Sequence, residues 1–197
     1  MVQARVLADR IYSGEGIVRD AARIIAANIL LVLCAHVAIP LPWTPVPITG
    51  QTFGVLLVAV LLGSGRGTVA VVFYLLEGMA GLPVFAPYGA PGVARFFGPT
   101  AGYLLAYPPA VFLTGWLVER SAGIWFLPLA GLRLACALFF GEATIFLGGY
   151  FWLRVGVGLG WGPAFLAGVV PFLPGEILKM VLIVMVVRGV ELARERH

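Results

Sequence analysis

Ile24-Ile-Ala-Ala-Asn-Ile-Leu-Leu-Val-Leu-Cys-Ala-His-Val-Ala-Ile39 runs for sixteen residues without an acid, an arginine or a lysine. With the residues just before it, the segment 21–39 reaches the ~20 predominantly apolar residues that carry a helix across the hydrocarbon core of a bilayer. It then meets Pro40-Leu-Pro-Trp-Thr-Pro-Val-Pro47, four prolines in eight residues. Proline removes a backbone donor and clashes with the preceding helical turn, so helix cannot continue and extended backbone takes over. An apolar span running into a rigid extended strap is the pattern that decides the class, and composition agrees with it. Of 197 residues, 61% are hydrophobic and 11% charged, and the mean hydropathy is +1.02. A soluble domain holds about 45–50% apolar and ~25% charged residues, and it could not expose this much apolar surface without aggregating. Disorder needs low hydrophobicity. A membrane β-barrel needs strands that alternate over ~10 residues, whereas these apolar runs are continuous. The chain reads as an integral, all-α membrane protein.

Five further segments follow. The second, 48–62, is short, which places its start within the prolines or beside a protein-lined cavity; it stops at Gly63-Ser-Gly-Arg-Gly67. The third covers 68–82 and is stopped by Pro83. A loop over 84–98, rich in glycine, proline and aromatics, leads to the fourth, 99–118, closed by Glu119-Arg120. The fifth spans 126–152, long enough to tilt. After a glycine-rich stretch over 156–162 the sixth runs through 163–187, interrupted by Pro171 and Pro174. Residues 1–20 form a polar N-terminal segment, about 21–188 a single six-helix bundle, and 189–197 a tail. The first apolar segment has no small-residue cleavage site and is read as a retained helix rather than a signal peptide.

Six spans put both termini on one side. The terminal side then holds nine arginines (5, 10, 19, 23, 66, 120, 188, 194 and 196) against Arg95 and Arg154 opposite. Basic residues stay inside, so the termini are expected in the cytoplasm of a multi-pass protein of the cell membrane. The strap 40–47 and the loop 84–98 are then expected outside. The net charge of +4 bears on this orientation; no basic run interleaved with aromatics suggests nucleic acid. Cys34 and Cys136 lie in apolar segments without metal spacing and read as small hydrophobes. Nothing implies a metal or a cofactor.

Charges inside spans are functional candidates by default. Arg133 and Glu142 are nine residues apart and fall on opposite helix faces, so they cannot neutralise each other. Glu176 and Lys179, at i and i+3, share one face. They follow Pro171-Phe-Leu-Pro-Gly175, a break whose free backbone groups are tolerated at membrane depth only beside protein or a cavity. The pair reads equally well as a ligand site, with lysine for an anion and the acid for N–H donors, or as a self-satisfied ion pair at a kink. Glu77 could face the same cavity or bond a neighbouring helix, and Glu142 has no partner visible in sequence. His36, one turn before Pro40, reads as a bonded interfacial histidine. Trp43, Phe85, Tyr88, Phe96, Phe97 and Tyr103 gather at outer segment ends, as an interfacial belt or as stacking surfaces for a flat ligand. Enzyme and motor signatures are missing: the only lysine sits between Leu178 and Met180, outside any phosphate-binding loop, and no His-Glu-x-x-His or Ser/His/Asp set occurs. Ala22 and Ala26 make a small-xxx-small face suited to close helix approach, against another chain or within this one.

Four stretches, in order and at their spacings, resemble the BioY family, the biotin-binding S component of energy-coupling-factor transporters. They are Ile39-Pro-Leu-Pro-Trp-Thr-Pro-Val-Pro-Ile-Thr-Gly-Gln-Thr-Phe-Gly54, Gly81-Leu-Pro-Val-Phe85, Gly98-Pro-Thr-Ala-Gly-Tyr103 and Pro171-Phe-Leu-Pro-Gly-Glu-Ile-Leu-Lys179. The resemblance covers nearly all of 21–188. It implies a non-enzymatic six-helix protein that captures biotin from outside, with a transmembrane coupling protein and two cytoplasmic ATPases as partners. It places the family's closing acid and lysine on Glu176 and Lys179, which would hold the ureido ring and the valerate carboxylate. It matches Gln51 to the glutamine opening helix two, and Thr100 and Tyr103 to the Gly-Pro-Ser/Thr-Gly-Gly-Tyr motif, with Ala101 replacing its first paired glycine. Glu176 stands where the family usually has aspartate, and its reach is longer by one methylene. The outer loop reads Pro87-Tyr-Gly-Ala-Pro-Gly92 where relatives are often glycine-rich with a ligand-contacting asparagine, which leaves Tyr88 as the candidate contact. Ala22 and Ala26 become the face for the coupling protein. Another small anionic vitamin, or a membrane subunit that binds no ligand, remains an alternative, and self-association of the isolated chain stays open.

Overall fold

The computed structural model describes residues 16–121 and 130–195. Helix α1 (Ile17–His36) leads into a two-stranded antiparallel ribbon, β1 (Ala38–Ile39) and β2 (Ile48–Thr49), paired Ala38 with Thr49 and Ile39 with Ile48. The ribbon closes the base of the proline strap, so the extended backbone that the prolines impose becomes a pinned loop. Thr44 secures its tip, with Oγ1 donating to Ala167 O at 2.6 Å and accepting from Val46 N–H at 3.2 Å.

Helix α2 (Gln51–Met79) is a continuous run of helical hydrogen bonding broken at Gly63. Gly63 has φ +76°, a conformation open to glycine and strained for other residues, and the chain folds back there. Gln51 Nε2 donates to Tyr74 Oη at 2.7 Å; twenty-three residues of straight helix would hold those groups about 34 Å apart at 1.5 Å per residue. The second and third predicted segments are thus the two arms of this hairpin, 51–62 and 64–79, about 18 and 24 Å long. Glu119 fastens the turn, accepting from Ser64 N–H and Ser64 Oγ at 2.7 Å each. Asp20 on α1 meets Arg66 at 3.0 Å beside it.

The loop after α2 ends in a 3₁₀ helix, Gly92–Phe97. Helix α3 (Ala101–Ser121) continues through Pro108 and Pro109, and α4 covers Ala130–Val155; the predicted start of the fifth segment at 126–129 lies outside the described residues. The sixth segment is two helices, α5 (Trp161–Gly168) and α6 (Leu173–Glu195), bent by 45° at the proline-glycine break. Among the described residues α3 and α4 are each long and apolar enough to cross a membrane, the α5–α6 pair makes a further candidate, and the apolar length of α2 is divided between the two arms of its hairpin. The apolar core lies between the α2 hairpin, α3 and α4, with α1 packed on one side. Outward-facing apolar side chains such as Leu147 (67% exposed), Leu33 (63%) and Leu178 (60%) remain uncovered, which suits lipid rather than water. His36 Nδ1 lies 2.8 Å from Val32 O, a bonded histidine as its position suggests. Cys34 and Cys136 are unpaired.

Candidate ligand-binding cavity

The strap, the loop before α3, the first turns of α2, α3 and α6, and the middle of α4 line a cavity of about 50 Å³. Each element contributes a distinct chemistry. Val46 and Pro47 come from the strap, whose prolines hold it extended over the site. Thr49 comes from β2, and Gln51 and Thr52 from the start of α2, where the short first arm begins. Thr100 stands in the turn just before α3, α3 supplies Tyr103 and Tyr107, α4 supplies Glu142 and Phe146, the α5–α6 bend supplies Phe172 and the first turn of α6 supplies Glu176. The loop before α3 adds Phe85 and Arg95. Tyr103, Phe146 and Phe172 form a run of rings with successive centroids 6.4 Å apart, an apolar wall suited to a flat ligand.

The i, i+3 pair meets as its spacing requires, Lys179 Nζ to Glu176 Oε1 at 2.7 Å. Lys179 Nζ also donates to Thr49 O at 2.6 Å and to Thr52 Oγ1 at 2.9 Å, while Thr52 Oγ1 donates to Glu176 Oε2 at 2.7 Å. The pair therefore stitches the start of α6 to the start of α2, and both Glu176 oxygens have partners. Glu176 lines the cavity; Lys179 stands behind it and is not part of the lining. Gln51 lines the cavity but spends its amide on Tyr74, whose hydroxyl in turn donates to Val84 O at 3.0 Å. Thr100 and Tyr103 also line it, and Tyr103 Oη donates to Gly168 O at 2.7 Å, tying α3 to the end of α5. Tyr88 is not in the lining and its side chain is partly exposed, at 42%. Glu77 is half-buried and away from the cavity. Ala22 and Ala26 are exposed on α1, opposite the face that buries Ala27, Leu31 and Ala35.

Two residues of the lining have roles that the sequence did not reveal. Arg95 is 7% exposed; its guanidinium donates to the carbonyls of Ala86 and Tyr88 and lies 5.7 Å from the Phe85 ring centroid. Its Nε has no partner. Burial is the main influence on it and pulls the group below its ordinary value, yet a guanidinium keeps its charge. Gly89, at φ +109°, passes so close to the guanidinium that a side chain there would collide with it. In sequence Arg95 counted only as a loop cation, and nothing in its neighbours says that the loop folds inward around it. The other residue is Glu142, 4% exposed, with neither carboxyl oxygen partnered. No group of three or more histidine, cysteine or acidic side chains able to hold a metal occurs among the described residues.

Comparison with known proteins bears on what this arrangement is for. The model of the BioY family matches residues 4–196. A biotin transporter BioY of Rhizobium etli is 36% identical over 166 residues, 83% of this chain and 88% of that one. Another from Rhodobacter capsulatus is 38% identical over 162 residues, 78% and 82% of the two chains. A crystal structure of the S-component for biotin from an ECF-type ABC transporter superposes with a TM-score of 0.77 at 24% identity, covering 90% of this chain and 95% of its own. The likeness to that structure is one of overall fold, spanning nearly the whole of both chains. With the family model matched over almost the whole length, the chain belongs to the BioY family.

Proposed function

We propose that this multi-pass membrane protein captures biotin and serves as the substrate-specific S component of an ECF transporter, not as an enzyme. The observation that carries the reading is the inventory of the cavity wall. Biotin is a carboxylate on an apolar chain, joined to a flat bicycle that ends in a cyclic urea. The wall offers a buried guanidinium at Arg95, aromatic faces at Tyr103, Phe146 and Phe172, and carboxyl groups at Glu142 and Glu176. Apolar walls with a few placed polar groups are what small-ligand sites use. In this reading Arg95 takes the carboxylate, and Gln51, Thr100, Tyr103 and Glu176 shape the wall. Lys179 acts on the ligand through Glu176, and Tyr88 belongs to the loop above. A cavity of about 50 Å³ is well below the ~300 Å³ of ordinary ligand sites, so the strap and the loop before α3 have to part when biotin enters.

Six spans with both termini in the cytoplasm fit the arginine distribution, taking the α2 arms as two segments and the bent α5–α6 pair as one. The exposed Ala22 and Ala26 would then form the docking face for a transmembrane coupling protein, with two cytoplasmic ATPases supplying energy. Isothermal titration of the purified chain with biotin and a panel of other vitamins tests the ligand. Biotin should bind with at least a hundredfold preference, about 2.8 kcal/mol. No heat with biotin, or tighter binding of another vitamin, overturns the assignment.

A further inference from the structure

Most polar groups of the cavity wall are already engaged. Glu176, Gln51 and Tyr103 each spend their side-chain groups on the protein. Glu142 does not: it lies 4% exposed on α4, lines the cavity beside Ile145 and Phe146, and has no partner for either oxygen. A buried carboxyl without hydrogen bonds keeps the whole desolvation cost of the group, which a ligand with matching groups would remove. The charges and titratable groups around it are few. Helix α6 brings Glu176 and Lys179, α3 brings Tyr103 and Tyr107, the 3₁₀ helix brings Arg95, and α2 brings only the neutral Gln51 and Thr52. The Glu142 carboxyl lies beside that of Glu176, whose charge Lys179 already balances at 2.7 Å. A second carboxylate there would repel the first. With an anionic ligand on Arg95, the site is electrically neutral only if Glu142 is uncharged.

Resting on the biotin reading above, we propose that Glu142, as a neutral carboxylic acid, binds the cyclic urea, its O–H donating to the ureido carbonyl and its C=O accepting one ureido N–H. A carboxylic acid presents one donor and one acceptor side by side, and one edge of a cyclic urea presents the complement. A single contact then satisfies both orphaned oxygens.

The test compares wild type, Glu142→Gln and Glu142→Leu in nanodiscs by titration with biotin and with the analogue whose ureido carbonyl is replaced by C=NH2⁺. Wild type is titrated with biotin first, since failure there overturns the biotin reading itself rather than the role of Glu142. Glutamine keeps one donor and one acceptor, so Glu142→Gln should hold biotin affinity within about threefold, whereas Glu142→Leu should lose about thirtyfold, the worth of two hydrogen bonds. Wild-type Glu142 can give up its proton and pair with the cationic analogue, so the preference for biotin over the analogue should be smaller in wild type than in Glu142→Gln, which cannot ionise, a difference that a purely structural role would not produce. Wild-type affinity in Glu142→Leu, or the same preference in wild type and Glu142→Gln, overturns the proposal. So does a Glu142→Gln variant that melts normally yet loses thirtyfold, and that measurement decides the matter alone if the leucine variant does not fold.

Discussion

Replacing Lys179 with methionine removes one ammonium and leaves three acceptors without their donor: Thr49 O at 2.6 Å, Glu176 Oε1 at 2.7 Å and Thr52 Oγ1 at 2.9 Å. The side chains of the pair are 15% and 6% exposed, so solvent cannot replace what is lost. Removing one partner of a buried ion pair costs about 3–5 kcal/mol, because the other charge stays buried and unmatched. The lower end applies, since Thr52 still donates to Glu176 Oε2 and stabilises the remaining carboxylate. At ~2–4 °C per kcal/mol for a chain of this size, a loss of about 3 kcal/mol lowers the melting temperature by roughly 6–12 °C. Tryptophan fluorescence of the ligand-free protein in detergent measures it. The double variant Lys179→Met with Glu176→Met should recover most of the loss, because a buried pair replaced by apolar residues of similar volume is often neutral. The brace role of Lys179 is excluded if Lys179→Met melts within about 2 °C of wild type while biotin affinity falls more than about a hundredfold, close to 3 kcal/mol. The ammonium would then be a ligand group in its own right rather than a brace for Glu176.

Three further outcomes are expected. Arg95→Met should weaken biotin by about 10–100-fold, the worth of a charge-assisted hydrogen bond, and weaken biotin amide much less; equal losses for both ligands would remove the carboxylate from Arg95. Replacing Ala22 and Ala26 together with leucine should leave biotin titration of the isolated chain unchanged yet abolish co-purification with the coupling protein and ATP-driven uptake, and normal assembly would place the docking face elsewhere. Tyr74→Phe should lower stability by about 1–3 kcal/mol, since Gln51 Nε2 and Val84 O both lose their buried partner; a melting curve that overlays wild type would show that the hairpin does not depend on that hydroxyl.

The helices were readable from the sequence because burial in lipid demands long apolar runs with internally satisfied backbones, and those runs need no tertiary information. The first four predicted segments agree with the described helices to within about four residues; the start of the fifth lies outside the described residues, and the sixth divides into α5 and α6 and runs on to Glu195, into the predicted tail. Meeting of Glu176 and Lys179 was equally local, since i and i+3 share a helix face wherever the helix lies. The reversal at Gly63 was visible as a glycine-rich stop, but its sense was not. Which way two arms fold depends on what they pack against, here Glu119 reaching Ser64 and Tyr74 reaching Gln51.

The class, the helical segments, the strap and loop as non-helical structure, and the family resemblance carried by the motifs all come from local sequence. These follow from proline's fixed geometry and from the length of an apolar run, both properties of neighbouring residues. Which polar side chains are spent and which are free depends on how the helices pack. Packing joined Lys179 to Thr49 and Thr52 across 130 and 127 positions. It turned Arg95 from a loop cation into a buried wall residue held by the carbonyls of Ala86 and Tyr88, and it left Glu142 facing the cavity with both oxygens unpartnered. The reason is physical: a polar group's partner is whatever the fold brings within about 3 Å of it, and for groups on separate helices no spacing along the chain records that distance.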